Sequence, residues 1–288
     1  MNPEDRYPGL LLHLSGPLQS YGERSRFTER DTARFPTRSA VIGLIAAALG
    51  RERTEPLDDL RPLRIAVRVD RPGTLLRDFH TVGGGQTNKL TVVTAEGKRR
   101  PGDTGTLVSH RYYVQDAAFT VAVTCEAAEI DTDTDVQRLL DRCHRALLEP
   151  RWPPYLGRRS CPPAGPTLLA ASPNAWHDLV ELPVHDDAAR LKRDRDQAGD
   201  RIRVVFYADQ TLDALPVPAD CAIDGLESTS TVNDEPVSFA TLDRRYLGRA
   251  LHSRAISMPV SRLGGLGTRY VNTIRNYCAV LAGEENRR

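Results

Sequence analysis

Between Phe35 and Gly50 the chain reads Phe-Pro-Thr-Arg-Ser-Ala-Val-Ile-Gly-Leu-Ile-Ala-Ala-Ala-Leu-Gly. Its ends are those of a helix. Pro36 stops any helix entering from upstream, Thr37 offers an N-cap hydroxyl, and Gly50 supplies the left-handed residue that closes many helices. From Ala40 to Leu49 there is no polar side chain, so the helix must be covered on most sides, as in the core of a layered domain. Gly43 lets another backbone come close. The first turn holds Arg38 and Ser39 without a carboxylate, although the helix dipole favours Asp or Glu there. Two readings stay open: Thr37, Arg38, Ser39 and the free amides grip an external phosphate, or the turn is a plain cap with one solvated arginine.

A chain of 288 residues forms one large or two modest domains, and two is the preferred reading. With 39 basic against 38 acidic residues no global field draws it to nucleic acid or membrane, so a polyanion site must be local. All basic residues but Lys89, Lys98 and Lys192 are arginine. That suits phosphate forks, but GC-rich coding gives the same excess. Cys125, Cys143, Cys161, Cys221 and Cys278 form no CxxC pair, which argues against a disulfide framework or a zinc site. No signal-peptide core and no membrane-length apolar run is present, so a soluble, cytoplasmic protein with no membrane partner is expected.

Taken in order, Leu10–Leu14 reads as a buried strand and the polar segment from Leu18 to Arg34 as a surface loop. Leu63–Val69 alternates as a half-buried strand. Leu75–Val82 and Leu107–Val114 form a long hairpin whose tip runs through Gly83–Gly85 and the stretch 86–105. From Arg77 to Arg111 it carries six basic residues against three acidic ones, flanked by Phe79, Tyr112 and Tyr113. Stacking together with phosphate contact is how single-stranded RNA is commonly held; a flexible basic loop is the rival reading. Ala118–Cys125 is a strand, Asp131–Asp135 offers caps for a helix through Leu148, and Thr167–Ala171 is a last strand. This order gives an α+β class with a split βαβ sandwich of ferredoxin type.

From Pro150 to Pro163, prolines at both ends leave a stiff loop in which Tyr155, Gly157, Arg158, Arg159 and Ser160 bring a ring, a close-approach glycine, two forks and a hydroxyl together. Beyond Ser172, Trp176–Leu182 and Arg201–Tyr207 read as strands joined through a solvated charged run, Asp186–Asp200. Val232–Phe239 and Ala255–Pro259 are further strands, and Tyr270–Leu281 is amphipathic.

Six blocks in order resemble the CasD subunits of the type I-E CRISPR complex Cascade, in the RAMP superfamily: Leu14–Gly22, Arg34–Ser39 with its helix, Arg77–Val82, Tyr113–Ala122, Tyr155–Pro162 and Asn233–Pro236. Tyr155–Pro162 is the most specific. The resemblance implies a ferredoxin-like (RAMP/RRM-like) RNA-binding domain over residues 1–172, with a thumb hairpin at about 81–114. A small C-terminal β-rich domain over 173–260 and a tail over 261–288 would follow. It also implies a non-catalytic subunit that binds the 5′ handle of the CRISPR RNA, caps a backbone of CasC-type subunits and seats a CasA-type large subunit. Target DNA would be met only through the complex, in antiviral interference, and no cofactor or metal is implied. The handle-facing residues would be Arg34, Thr37, Arg38, Ser39, His80, Arg111, Tyr112, Tyr155, Gly157, Arg158, Arg159 and Ser160.

The rival reading is a metal-independent endoribonuclease that processes CRISPR repeat RNA. His80 near Tyr112, with Lys89, would act as general acid or base and charge stabiliser. A lone strand histidine is more often structural. No paired carboxylates, P-loop or GxSxG elbow accompany it.

Overall fold

The computed structural model describes residues 7–23, 28–83, 91, 93, 97–99, 106–126, 132–191, 200–240 and 243–285. Lys89, Arg100 and most of the stretch 86–105 therefore lie outside the described residues.

The expected strand–helix order is present almost residue for residue: β1 (Gly9–Ser15), α1 (Arg38–Ala48), β4 (Leu63–Arg71), β7 (Ala118–Cys125), α2 (Asp133–Leu148) and β8 (Leu168–Ser172). Across the sheet they stand β4-β7-β1-β8, every pair antiparallel, which is the ferredoxin-type arrangement. Between β4 and β7 the chain leaves the sheet as an arm, β5 (Thr74–Val82) paired to β6 (Leu107–Gln115). The short strand β2 (Leu18–Gln19) pairs with β6 at the arm's root, and β3 (Glu29–Arg30) pairs with the middle of β6.

One face of the sheet holds α1 and α2, where Val41, Ile42, Ile45, Leu140 and Cys143 close over Leu10, Leu12, Val67, Phe119 and Val121. The other face holds α3 (Ala175–Glu181) and α4 (Gly267–Glu285), whose Trp176, Leu179, Tyr270 and Ile274 pack with Leu11, Ala122, Phe206 and Met258. The sheet is thus covered on both sides, and β4 is buried along most of its length, with only Arg64 and Val69 half-buried, rather than on alternate residues as its pattern suggested. Its Arg68 is fully buried because the guanidinium donates to the carbonyls of Leu179, Leu182 and Pro183 and pairs with Asp70 at 2.6 Å.

Three sequence expectations change. Residues 175–181 are helical, not a strand: Asn174 caps the His177 amide, and Trp176, Leu179 and Val180 fall on one helical face. The segment after Leu18 is not wholly a surface loop, since Gln19, Ser20 and Tyr21 are buried. There the Gln19 amide donates to the Ala117 carbonyl and accepts the Tyr21 hydroxyl. The strands beyond residue 200 do not begin a sheet of their own. β9 (Arg201–Ala208) pairs with β4, and β11 (Arg245–Pro259) and β10 (Ala222–Ser238) follow it, giving the order β10-β11-β9-β4-β7-β1-β8. Without β9 the apolar strand β4 would present an open edge of unpaired amides and carbonyls.

No helix among the described residues is long and apolar enough to cross a membrane.

Candidate nucleic-acid interface

Thr37 stands at the extended N-cap of α1, but its hydroxyl caps no amide and lies 3.2 Å from Ser39 Oγ. The anion that the first turn lacks in sequence comes from the far end of the chain. Asp234 on β10, buried, accepts the Arg38 amide at 2.7 Å. The Arg38 side chain is equally buried. It donates to the carbonyls of Leu63 (2.5 Å) and Arg61 (2.9 Å), pairs with Asp209 at 2.6 Å, and pairs with Glu235. Arg249 on β11 closes the cluster with bonds of 2.6 and 2.9 Å to the two Asp234 oxygens. Two guanidinium groups therefore face three carboxylates behind the helix mouth. Arg38 is a brace between α1 and the C-terminal hairpin, and its fork is out of reach of an outside phosphate.

The proline loop is fixed against the arm. Arg158 donates to the carbonyls of Tyr112 (3.2 Å), Arg30 (2.9 Å) and Asp31 (3.3 Å), with its guanidinium 4.8 Å over the Tyr113 ring. Ser160 Oγ lies 3.5 Å from the Tyr113 hydroxyl. Gly157 has φ +90°, and a Cβ there would stand 1.7 Å from the Ser20 carbonyl oxygen. Its close approach is to the protein's own backbone, where Ser20 N–H donates to Leu156 O at 3.0 Å. Leu156 and Cys161 anchor the loop in the core, and burial pushes the Cys161 thiol up.

On the arm, Asp78 lies opposite Arg111 and His80 opposite Ser109, so by strand alternation they share a face with Tyr113. His80 Nδ1 is 3.4 Å from Asp78 Oδ2, and Arg111 Nε donates to Ser109 Oγ at 3.5 Å. Tyr112 points to the opposite face, and its carbonyl accepts a hydrogen bond from the proline loop's Arg158. Arg34 is exposed immediately before the helix.

Two adjoining clefts run along the half-exposed side of α1, of about 470 and 740 Å³. Ser39, Ala40, Gly157, Arg244 and Tyr246 line both, making one continuous groove. Of the twelve residues expected from sequence, Thr37, Ser39, Tyr155, Gly157, Arg158 and Arg159 border it. Ser160 meets the arm at Tyr113, close to its root, while Arg111 and His80 lie further out along the arm and do not line the groove. Arg34, Arg38 and Tyr112 do not line it.

The family model described as CRISPR-associated protein (Cas_Cas5) matches residues 9–251. The chain belongs to the Cas5 family. A relative from Escherichia coli (strain K12), the CRISPR system Cascade subunit CasD, is 36% identical over 171 residues, covering 56% of this chain and 69% of the relative. A chain from a solved CRISPR RNA-guided surveillance complex is 36% identical with a TM-score of 0.73, covering 94% of this chain and 99% of that one. A second solved structure, a Cas protein, is 31% identical with a TM-score of 0.52 over 90% of this chain and 99% of that one.

Arg53, Trp152, Arg244 and Tyr246 complete the groove of this Cas5 chain and are not among the residues that its sequence points to. Trp152 shares the proline loop that was singled out, three residues before Tyr155. Arg244-Arg245-Tyr246 is a basic run ending in a ring, a signal that could have been noticed. Burial pushes the Tyr246 phenol up, with Arg244 and Arg53 close enough to oppose the shift.

Proposed function

We propose that this Cas5 chain is a non-catalytic, RNA-binding subunit of a Cascade-type surveillance complex. It holds the repeat-derived 5′ handle of the CRISPR RNA, caps a backbone of CasC-type subunits and helps seat a CasA-type large subunit; target DNA is reached only through the assembly. The observation that carries this reading is the likeness along nearly the whole chain to a protein of a CRISPR RNA-guided surveillance complex. The groove beside α1 supports it. Exposed arginines 159 and 244 and the rings of Tyr155 and Tyr246 offer phosphate contacts and stacking surfaces, the combination that holds single-stranded RNA. Purification from the host with sequencing of bound RNA tests it: handle-containing RNA and the partner subunits are expected together, and a chain that returns without RNA overturns the reading.

The endoribonuclease alternative rests on His80 beside Asp78, with Arg111 opposite Asp78 on the neighbouring strand of the arm. Specific cleavage of repeat RNA in a chelator, lost in His80→Ala, would establish it in place of the non-catalytic reading.

A further inference from the structure

The wider cleft has a composition that the family likeness does not explain. One wall is the C-terminal hairpin, which brings Phe239 and Tyr246, their rings 6.4 Å apart. The other wall is the proline loop, with Trp152 and Tyr155. Arg53, Arg159 and Arg244, all exposed, stand against Glu52 alone among the exposed charges that line it. Arg51 also lines the cleft, but Asp59 holds it. The floor is α1 itself, where Ala40, Gly43 and Ala47 are half-exposed, so the helix without a polar face is left partly uncovered here. At Gly43 a Cβ would come 3.6 Å from the Phe239 ring.

An occupant that suits this space has a flat apolar face, to lie between rings over a floor of small side chains, and a negative edge for three guanidinium groups. A nucleobase with its flanking phosphates has both, and a polypeptide supplies them only with an unusual run of acidic and aromatic residues. We propose that the cleft is a base slot. One unpaired nucleotide of the bound RNA lays its base over α1 between Tyr246 and Trp152, and its neighbouring phosphates meet Arg53, Arg159 and Arg244. The C-terminal hairpin is thereby the second jaw of the interface, and the brace of Arg38 and Arg249 on Asp234 sets the distance between the jaws. The inference rests on the RNA-binding reading above.

The full chain is titrated with synthetic single-stranded RNA of the repeat 5′ handle, intact and with one abasic residue at each position in turn. Affinity and tryptophan fluorescence are both followed. The chain has two tryptophans and Trp176 is buried, so quenching reports Trp152 and disappears in Trp152→Phe. At one position, removing the base lowers affinity by about 5- to 150-fold, the range of a single base–aromatic stack. In Tyr246→Ala that penalty falls to about one, and in Ala47→Leu, which fills the floor with a good helix former, quenching is lost while the chain stays folded. Handle RNA that binds without quenching Trp152, or that shows the same abasic profile in Tyr246→Ala, overturns the slot and leaves the RNA-binding reading standing. RNA that does not bind at all overturns both. Quenching of Trp152 by a partner subunit without RNA also overturns the slot, making the cleft a protein seat.

Discussion

The Asp234 carboxylate accepts the Arg38 amide hydrogen at 2.7 Å across 196 residues of sequence, joining the mouth of the central helix to the C-terminal hairpin. The bond answers the question raised by a helix whose first turn has no acid of its own. It also ties the geometry of the groove to the integrity of the buried ion cluster behind it.

Asp234→Ala leaves Arg249 and the Arg38 amide without a shared partner in a buried site. Losing one member of such a cluster costs roughly 3–5 kcal/mol. Urea unfolding should show that loss as a lower midpoint with an unchanged slope, and Asp234→Asn should recover part of it by keeping an acceptor for the amide.

Gly157→Ala and Arg159→Ala separate scaffold from surface. At Gly157 a side chain meets both a positive φ and the Ser20 carbonyl, so the variant should lose at least about 1–3 kcal/mol and displace the loop. Arg159 is exposed, and its replacement should leave stability within about 0.5 kcal/mol. For single strands each neutralised phosphate adds about 0.7 to the log–log dependence of affinity on salt, so Arg159→Ala should reduce that slope by about this amount. A gel-shift series at several salt concentrations measures it.

Arg158→Ala should behave differently from Arg159→Ala. Its guanidinium joins the proline loop to Arg30, Asp31 and Tyr112, so removal should raise hydrogen exchange at the root of β6 as well as weaken RNA binding. Arg158→Lys should not restore the wild-type pattern, because one ammonium does not reproduce three directed bonds and a stacked plane. Exchange at β6 equal to wild type in both variants would show that the clamp is not structural.

Acid should destabilise the chain earlier than its surface suggests. His13 Nε2 and His185 Nδ1 are 2.8 Å apart, and His185 stacks on Tyr270 at 3.8 Å. Burial lowers His13 to about 4 and His185 to about 3. A histidine held neutral in the fold takes up its proton on unfolding, so stability is full above about pH 6.5 and falls as pH drops toward 4. For His13 alone the limiting slope is about 1.4 kcal/mol per pH unit. Unfolding midpoints measured from pH 7.5 to 5 should trace that decline, and His13→Leu should flatten it.

Much of the architecture was legible because period and punctuation agreed. The apolar runs of β1 and β7 and the proline and glycine around α1 fixed their elements within a residue or two. What misled was burial of polar side chains. Arg68 and Gln19 are inside because distant carbonyls satisfy them, a fact that no local pattern carries. The same holds at the groove. The proline loop was found, since its rings and forks are contiguous, whereas Arg244 and Tyr246 belong to the site only through the pairing of β10 with β11 and their return over α1. Arg38 was read as facing outward because its partners Asp209, Asp234 and Glu235 lie far along the chain.

The sheet order also sets a timetable for synthesis. Ile65 of β4 donates its amide to Asp209, at the end of β9 and 144 residues later. At roughly 5–20 residues per second the ribosome needs about 7–30 s to supply that partner. For that interval one edge of β4 in the nascent chain waits for its partner, so faster synthesis of the residues between them shortens the exposure of an aggregation-prone strand edge.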